Sequence, residues 1–460
     1  MFDLFIKGGM VYTEQGFYKL NVAVQDEKIA ALCGPDQIFE AKKTIDAEGM
    51  HIFPGFIDAH CHLREPGFTH KEDFFHGTSA FAHSGITMVC PQPNLDPVPL
   101  TLDAYKQEIE AGEANAVIDF NPPGCPLGED PDAVQEMADY GAGWFKLFQK
   151  VAPYPYNTSA GTVDTYKIYE AFKKCAAAGK YCSVHPFDQY FYEHAIKSVE
   201  DDGLPLKMEH VRPRTYSNEE MTSAAYQLSF LAKATGMKWY AMHAWHKGYI
   251  ELVRQIKERG DQTIVSSFEY MPAMEPSDYI WSKTTNEWLL CAHDCPPDVD
   301  AIWEAVRDGT IDFIGSDCAP HSVEEYQKAN DNPRFSAGFT NADYFGHLLV
   351  SHAMEGDYSL EKLAEITSVN VSKAMGFYPR KGSNIVGTDA DFTIVDTNEN
   401  WEITKDDEVY VKNQTIPYVG RKMHGKVKYT VVRGSVVMEN GVVNGVRGFG
   451  KFIRPEDCTM

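Results

Sequence analysis

Nowhere does this chain string together the roughly 20 apolar residues that a membrane-spanning helix needs, so a helical membrane protein is excluded. The start, MFDLFIKGGMVYTEQGF, lacks a long apolar core and carries Asp3 and Lys7 early, so no signal peptide is expected. The 10 cysteines form no CxxC pair, and their densest group is CAHDC at 291–295. A secreted disulfide framework is thereby disfavoured, and reduced thiols in the cytoplasm are expected. There is no internal repeat, no low-complexity tract and no GxGxxG, which counts against a doubly wound nucleotide-binding sheet. Positive charge is scarce: 42 Lys and Arg stand against 66 Asp and Glu, a net charge of -24. Nucleic acid and anionic membranes are poor partners for such a surface. A small anionic substrate remains compatible, because a few cations can reverse the field inside a pocket.

What is present suits a soluble enzyme: 460 residues, 43% of them hydrophobic, room for one large barrel and a smaller satellite. Residues 1–53 and 381–460 alternate apolar and polar positions between Gly and Asn-Gly turns, which predicts one small β domain built from both termini. Gly8-Gly9 reads as a hairpin turn. Between them, over 54–380, apolar strands (ITMVC, AVIDF, WFKLF, YCSVH, WYAMH, IDFIGSD) alternate with helical stretches that end in Gly. That alternation predicts an α/β fold, a (β/α)8 TIM-type barrel.

Barrel chemistry sits at the C-terminal ends of the strands. There the stretch FPGFIDAHCHLREPG places His60, His62 and Arg64 on one face of a strand end. YCSVH ends in His185, WYAMH in His243 and IDFIGSD in Asp317, so four strands end in metal-type ligands. Lys146, inside GWFKLF, has apolar neighbours on both sides. A bare buried ammonium costs several kcal/mol or loses its proton. Lys146 therefore pairs with a buried carboxylate, snorkels from a strand end, or is carboxylated by CO2 into a carbamate able to bridge two metals. Lys150 lies past the apolar run and is expected to be solvated.

Together these motifs, with DFIGSDCAPH and the tail PYVGRKMHGKVKYTVVRGSVV, resemble the cyclic amidohydrolases: dihydroorotase, allantoinase, hydantoinase and dihydropyrimidinase. The resemblance implies a small β-sandwich beside the barrel. It implies a first divalent metal on His60, His62 and Asp317, a second on His185 and His243, and carboxylated Lys146 bridging them beside a hydroxide. Zn2+ is the usual metal, with Mn, Co or Fe also accepted by such ligands. Asp317 would move the proton from the attacking hydroxide to the leaving nitrogen. HLREPG looks like the dihydroorotase form of the motif, in which Arg64, with Asn94 and His321, holds a substrate carboxylate. The expected activity is opening of a carboxylate-bearing cyclic amide, dihydroorotate-like. The alternative is an uncharged ring: allantoin, a hydantoin or a dihydropyrimidine, with Arg64 in a structural pair with Glu65 or Glu72. A mononuclear deaminase would not need Lys146, and a non-catalytic assembly protein on this fold would have lost metal ligands. The family also implies a homo-oligomer, dimer or tetramer. Departures from dihydroorotase fall at His243-Ala-Trp, Phe268-Glu269-Tyr270, Asp294-Cys-Pro-Pro-Asp298, Asp317-Cys-Ala-Pro-His321 and the Tyr- and Pro-rich insertion KVAPYPYNTSAG. They bear on the substrate loops more than on the ligands.

Overall fold

The computed structural model describes residues 1–150, 158–270, 279–291, 297–332 and 338–458. Of the departures above, residues 151–157 of the insertion and Asp294, Cys295 and Pro296 lie outside them.

The chain opens with β1 (Phe2–Thr13), β2 (Gly16–Gln25), β3 (Lys28–Cys33), β4 (Ala41–Asp46) and β5 (His51–Pro54). Apolar side chains of these strands, among them Leu4, Ile6, Val22, Val24 and Ile52, share a core with Phe392, Ile394 and Val431 from the far end of the sequence. The Gly8-Gly9 expectation is corrected here. β1 runs straight through both glycines, with a bulge between Ile6 and Gly9, and the hairpin turns after Thr13 instead. Gly8 takes φ 78°, and its N–H donates to Asn21 Oδ1 (2.8 Å), so the pair absorbs an extra residue rather than reversing the chain.

The barrel follows: β6 (Phe56–Cys61), β7 (Ile86–Pro91), β8 (Asp119–Phe120), β9 (Trp144–Phe148), β10 (Tyr181–His185), β11 (Lys238–Ala241), β12 (Ile264–Glu269), then a hairpin of β13 (Tyr279–Ser282) and β14 (Glu287–Leu290), and β15 (Phe313–Gly315). β6-β7-β8 and β9-β10-β11-β12-β15 pair in parallel. Parallel bridges Gly124–Phe145 and Cys61–Cys318 close the ring. β6, β7 and β9 are buried at every position, because helices cover the outside and side chains fill the inside. Helices Phe74–His83, Thr165–Ala177 and Asn218–Thr235 start on Asp73, Asp164 and Ser217, whose side chains accept first-turn N–H groups. Gly236 and Gly260 end two of the helices in the left-handed region.

β16 (Phe392–Glu402), β17 (Thr415–Ile416), β18 (Lys422–Val432), β19 (Ser435–Glu439) and β20 (Val442–Val443) complete the chain. All but β17 rejoin β1–β5, in the order β20-β19-β18-β16-β5-β1-β2-β3 with β4 on β1. The fold is thus a TIM barrel with a β-sandwich. A buried ion cluster ties the two together: Lys381 Nζ meets Asp119 (2.6 Å) at the foot of β8, and Asp391 (2.6 Å) and Asp389 (3.0 Å) beside β16. Among the described residues, no helix is long and apolar enough to cross a membrane.

Candidate active site

The ligand-type residues converge at the mouth of the barrel. His60 and His62 extend from β6, and both Nε2 atoms point at Asp317 Oδ1, at 3.3 and 3.1 Å. Backbone bonds set this register: Asp317 N–H donates to His60 O, and His62 N–H to Cys318 O, both at 2.8 Å. Asp58 locks it from below, accepting from Ser316 Oγ (2.5 Å), Ser316 N (2.9 Å) and His60 N (3.0 Å). A side chain at Gly315 would meet His60 Cβ at 2.7 Å, so only glycine lets the two strand ends come this close.

His185 ends β10 as expected. His243 and Asp317 do not end their strands: each lies two residues beyond, past Ala241 and Gly315. Both take left-handed backbone, φ 61° and 45°, which turns the side chains in over the mouth. His185 Nδ1 and His243 Nε2 face each other at 2.9 Å, and the rings of His60 and His243 are 5.1 Å apart, so the two groups adjoin.

Lys146 is wholly buried. Its Nζ meets Met242 Sδ at 2.5 Å and lies 5.0 Å from the Phe148 ring centre. Among the described residues, no carboxylate is within ion-pair distance. Burial pushes its pKa down to about 8, and its charge in turn bears on both His60 and His185. Burial removes the snorkelling alternative, and the pairing alternative has no direct contact, with Glu269 and Asp317 acting on Lys146 only at longer range. Burial would raise the Asp317 carboxyl, yet His60, His62 and His243 together hold it well below the usual carboxylate range.

The expectation for Lys150 is corrected. It is buried: Nζ donates to Tyr216 Oη (2.9 Å) and lies 4.5 Å from the Phe187 ring centre, so aromatic faces replace water. Tyr216 Oη is also 3.3 Å from His185 Nε2.

Arg64, buried and at φ 62°, donates through Nε to Pro320 O (3.2 Å) and reaches His321 Nε2 through Nη2 (3.3 Å). His321 Nδ1 faces Glu325 Oε2 (3.3 Å), and Lys71 Nζ pairs with Glu325 Oε1 (2.9 Å). Glu65 and Glu72 are engaged elsewhere, accepting from Phe74 N and from the backbone of Asp73 and Lys412. Asn94 joins the metal-type residues rather than Arg64: its Oδ1 holds His62 Nδ1 at 2.8 Å.

Sequence reasoning noted Glu269 only within the Phe268-Glu269-Tyr270 departure and gave it no role at the centre, yet it is fully buried between His60 and His243. Its strand, IVSSFE, is broken by serines and lacks the continuous apolar run of the others. A carboxylate ending a strand between those leading to His243 and Asp317 was the available signal.

The inner atoms form one N- and O-donor set. His60, His62 and Asp317 offer ligand atoms within 4.8 Å of one another, whereas Glu269 groups with His60 and His243 at their outward Nδ1 atoms. Such a set suits a divalent ion of the zinc class.

Comparison with known proteins gives the family. The amidohydrolase family profile matches residues 51–437. A dihydroorotase of Lactobacillus leichmannii is 29% identical over 447 residues, covering 95% of this chain and 98% of its own. An allantoinase of Rubrobacter xylanophilus is 28% identical over 460 residues, covering 99% and 98%. The solved L-hydantoinase (dihydropyrimidinase) of Arthrobacter aurescens superposes with a TM-score of 0.88 at 24% identity, covering 99% and 100%, which speaks to the fold.

Proposed function

The chain belongs to the amidohydrolase family, and we propose that it is a hydrolase that opens a cyclic amide bearing a carboxylate, of the dihydroorotate type, at a binuclear metal centre. One observation carries this reading: Lys146 is buried, makes no direct ion pair with a described carboxylate although Glu269 and Asp317 act on it at longer range, and acts on one histidine of each group. An amine so placed is best explained as a carbamate. His60, His62 and Asp317 would hold one ion, His185 and His243 the other, and carboxylated Lys146 both, with Zn2+ the expected metal. When bound, two such ions lower the pKa of water and polarise a carbonyl. The remaining work falls to the chain. Asp317, ionised at the mouth, would take the proton of the attacking water and pass it to the leaving ring nitrogen. Arg64 offers a guanidinium for the substrate carboxylate, with His321 and Asn94 beside the same mouth. The buried walls exclude bulk water from these contacts.

One observation favours an uncharged ureide instead. Arg64 already meets His321, and His321 meets Glu325, without a substrate carboxylate. The reading further takes 1–53 with 381–460 as the small domain and 54–380 as the barrel. It takes the enzyme as a cytoplasmic homo-oligomer, dimer or tetramer, without nucleic-acid or membrane partners. The test is ring opening by the zinc-loaded protein of L-dihydroorotate beside 5,6-dihydrouracil, hydantoin and allantoin. Preference for dihydroorotate supports the carboxylate reading, and turnover of an uncharged ring alone overturns it while leaving the metal chemistry.

A further inference from the structure

β12 ends Ser267-Phe268-Glu269, and the alternation turns Ser267 and Glu269 to the same, inward side. The Glu269 carboxylate is fully enclosed there. Ser267 Oγ donates to Oε1 at 2.5 Å, and the backbone N–H of His243 donates to Oε2 at 2.6 Å. Each oxygen also lies near one imidazole, within ion-pair reach but short of hydrogen-bond geometry: His60 Nδ1 is 3.4 Å from Oε1, and His243 Nδ1 is 2.8 Å from Oε2. The opposite nitrogens face the centre, His60 Nε2 toward Asp317 and His243 Nε2 toward His185. A carboxylate only accepts, so a small tilt of either ring that completes the bond leaves its proton on Nδ1 and keeps the lone pair of Nε2 for a metal.

We infer that Glu269 is a positioning residue shared by the two halves of the metal centre, fixing the tautomer and tilt of one histidine in each. It acts from behind the rings, because both of its oxygens already take a donor. This inference rests on the binuclear reading above, since His60 belongs to one group and His243 to the other. The remaining histidines have separate partners: Asn94 holds His62, and Tyr216 holds His185. Among the described residues, Glu269 lies against the outward nitrogen of one histidine in each group. The two sites are thereby coupled through one side chain that ligates neither.

Glu269→Gln tests this with little change of shape. An amide presents one acceptor and one donor, so one imidazole would face an NH2 group. That ring would have to accept at Nδ1 and carry its proton on Nε2, where the metal belongs. Metal-stripped wild type and variant would be titrated with Zn2+ against a chromophoric chelator, and bound zinc counted by elemental analysis. Wild type should bind two equivalents. The variant should lose about 10–100-fold in affinity at one site or both, the usual effect of removing such a partner. The far-UV circular dichroism of the metal-free form should stay unchanged, which separates positioning from loss of the fold. Two equivalents held with wild-type affinity would overturn the inference. Fewer than two in the wild type itself would overturn the binuclear reading and this inference with it. If Glu269→Gln does not fold, Ser267→Ala carries the test. It keeps the carboxylate, frees Oε1 and should weaken zinc in the same direction by a smaller factor; unchanged affinity there would equally count against the proposal.

Discussion

Replacing Lys146 by Met should change stability in opposite directions with and without metal. In the metal-free protein, kept free of bicarbonate, Lys146 is an amine buried against Met242 and Phe148. Burial takes its pKa from 10.5 to about 8. That drop corresponds to about 3 kcal/mol of penalty on the protonated folded form. The sign follows from proton counts. The unfolded chain keeps this proton to about pH 10.5 and the folded one to about pH 8, so the unfolded state binds more protons between those values. Wild-type stability therefore rises with pH across that window, and the penalty is constant below it. Methionine has nearly the same length and no charge. Lys146→Met should stabilise the metal-free protein by about 3 kcal/mol at pH 7, with the gain fading to nothing near pH 10.5. With zinc and bicarbonate the same variant should lose metal, activity and the stabilisation that ligand binding gives. Urea unfolding followed by tryptophan fluorescence at several pH values reads both arms. A metal-free variant no more stable than wild type at pH 7 would refute the argument, because Lys146 would then be solvated or paired.

Other expectations follow from single contacts. Lys381→Met leaves Asp119, Asp389 and Asp391 short of a cation and should cost about 3–5 kcal/mol in urea unfolding. The folded pKa values of Asp119 and Asp389 are held down, so their contribution is present above the ordinary carboxylate range and lost in acid, and the gap should narrow below about pH 4. Arg64→Met should raise KM for L-dihydroorotate about 10–100-fold, the worth of a charged hydrogen bond, and leave 5,6-dihydrouracil unaffected. Glu108 is buried without a hydrogen-bond partner for either oxygen, and burial raises its pKa well above 4.5. Its raised folded pKa makes it penalise folding increasingly as pH rises past 4.5. Glu108→Gln should accordingly stabilise the protein at pH 7 and leave it unchanged near pH 4, as read by thermal unfolding.

The residues most legible in the sequence were those whose chemistry clashed with their neighbours. Lys146 inside WFKLF and the histidines closing apolar strands stood out because burial of such groups is costly. Less visible was anything set by backbone shape. WYAMH and IDFIGSD read as strands running to their last residue, whereas left-handed turns at His243 and Asp317 end them early and do the aiming. Gly8-Gly9 carries the composition of a turn, and only its pairing with β2 shows a bulge. Lys150 follows an apolar run and so read as exposed; its shelter comes from Phe187 and Tyr216, far away in sequence. Glu269 was hidden because a strand broken by serines offers a weak apolar signal, and its meaning depends on which strands flank it.

The central claim is that Lys146 carries a carbamate bridging two metals. The direct measurement is 13C NMR of the zinc-loaded protein prepared with 13C-bicarbonate, beside Lys146→Met prepared the same way. A protein-bound carbamate resonance, present in wild type with two zinc ions and absent from the variant, is predicted. Full activity with two bound metals and no 13C incorporation would contradict the account.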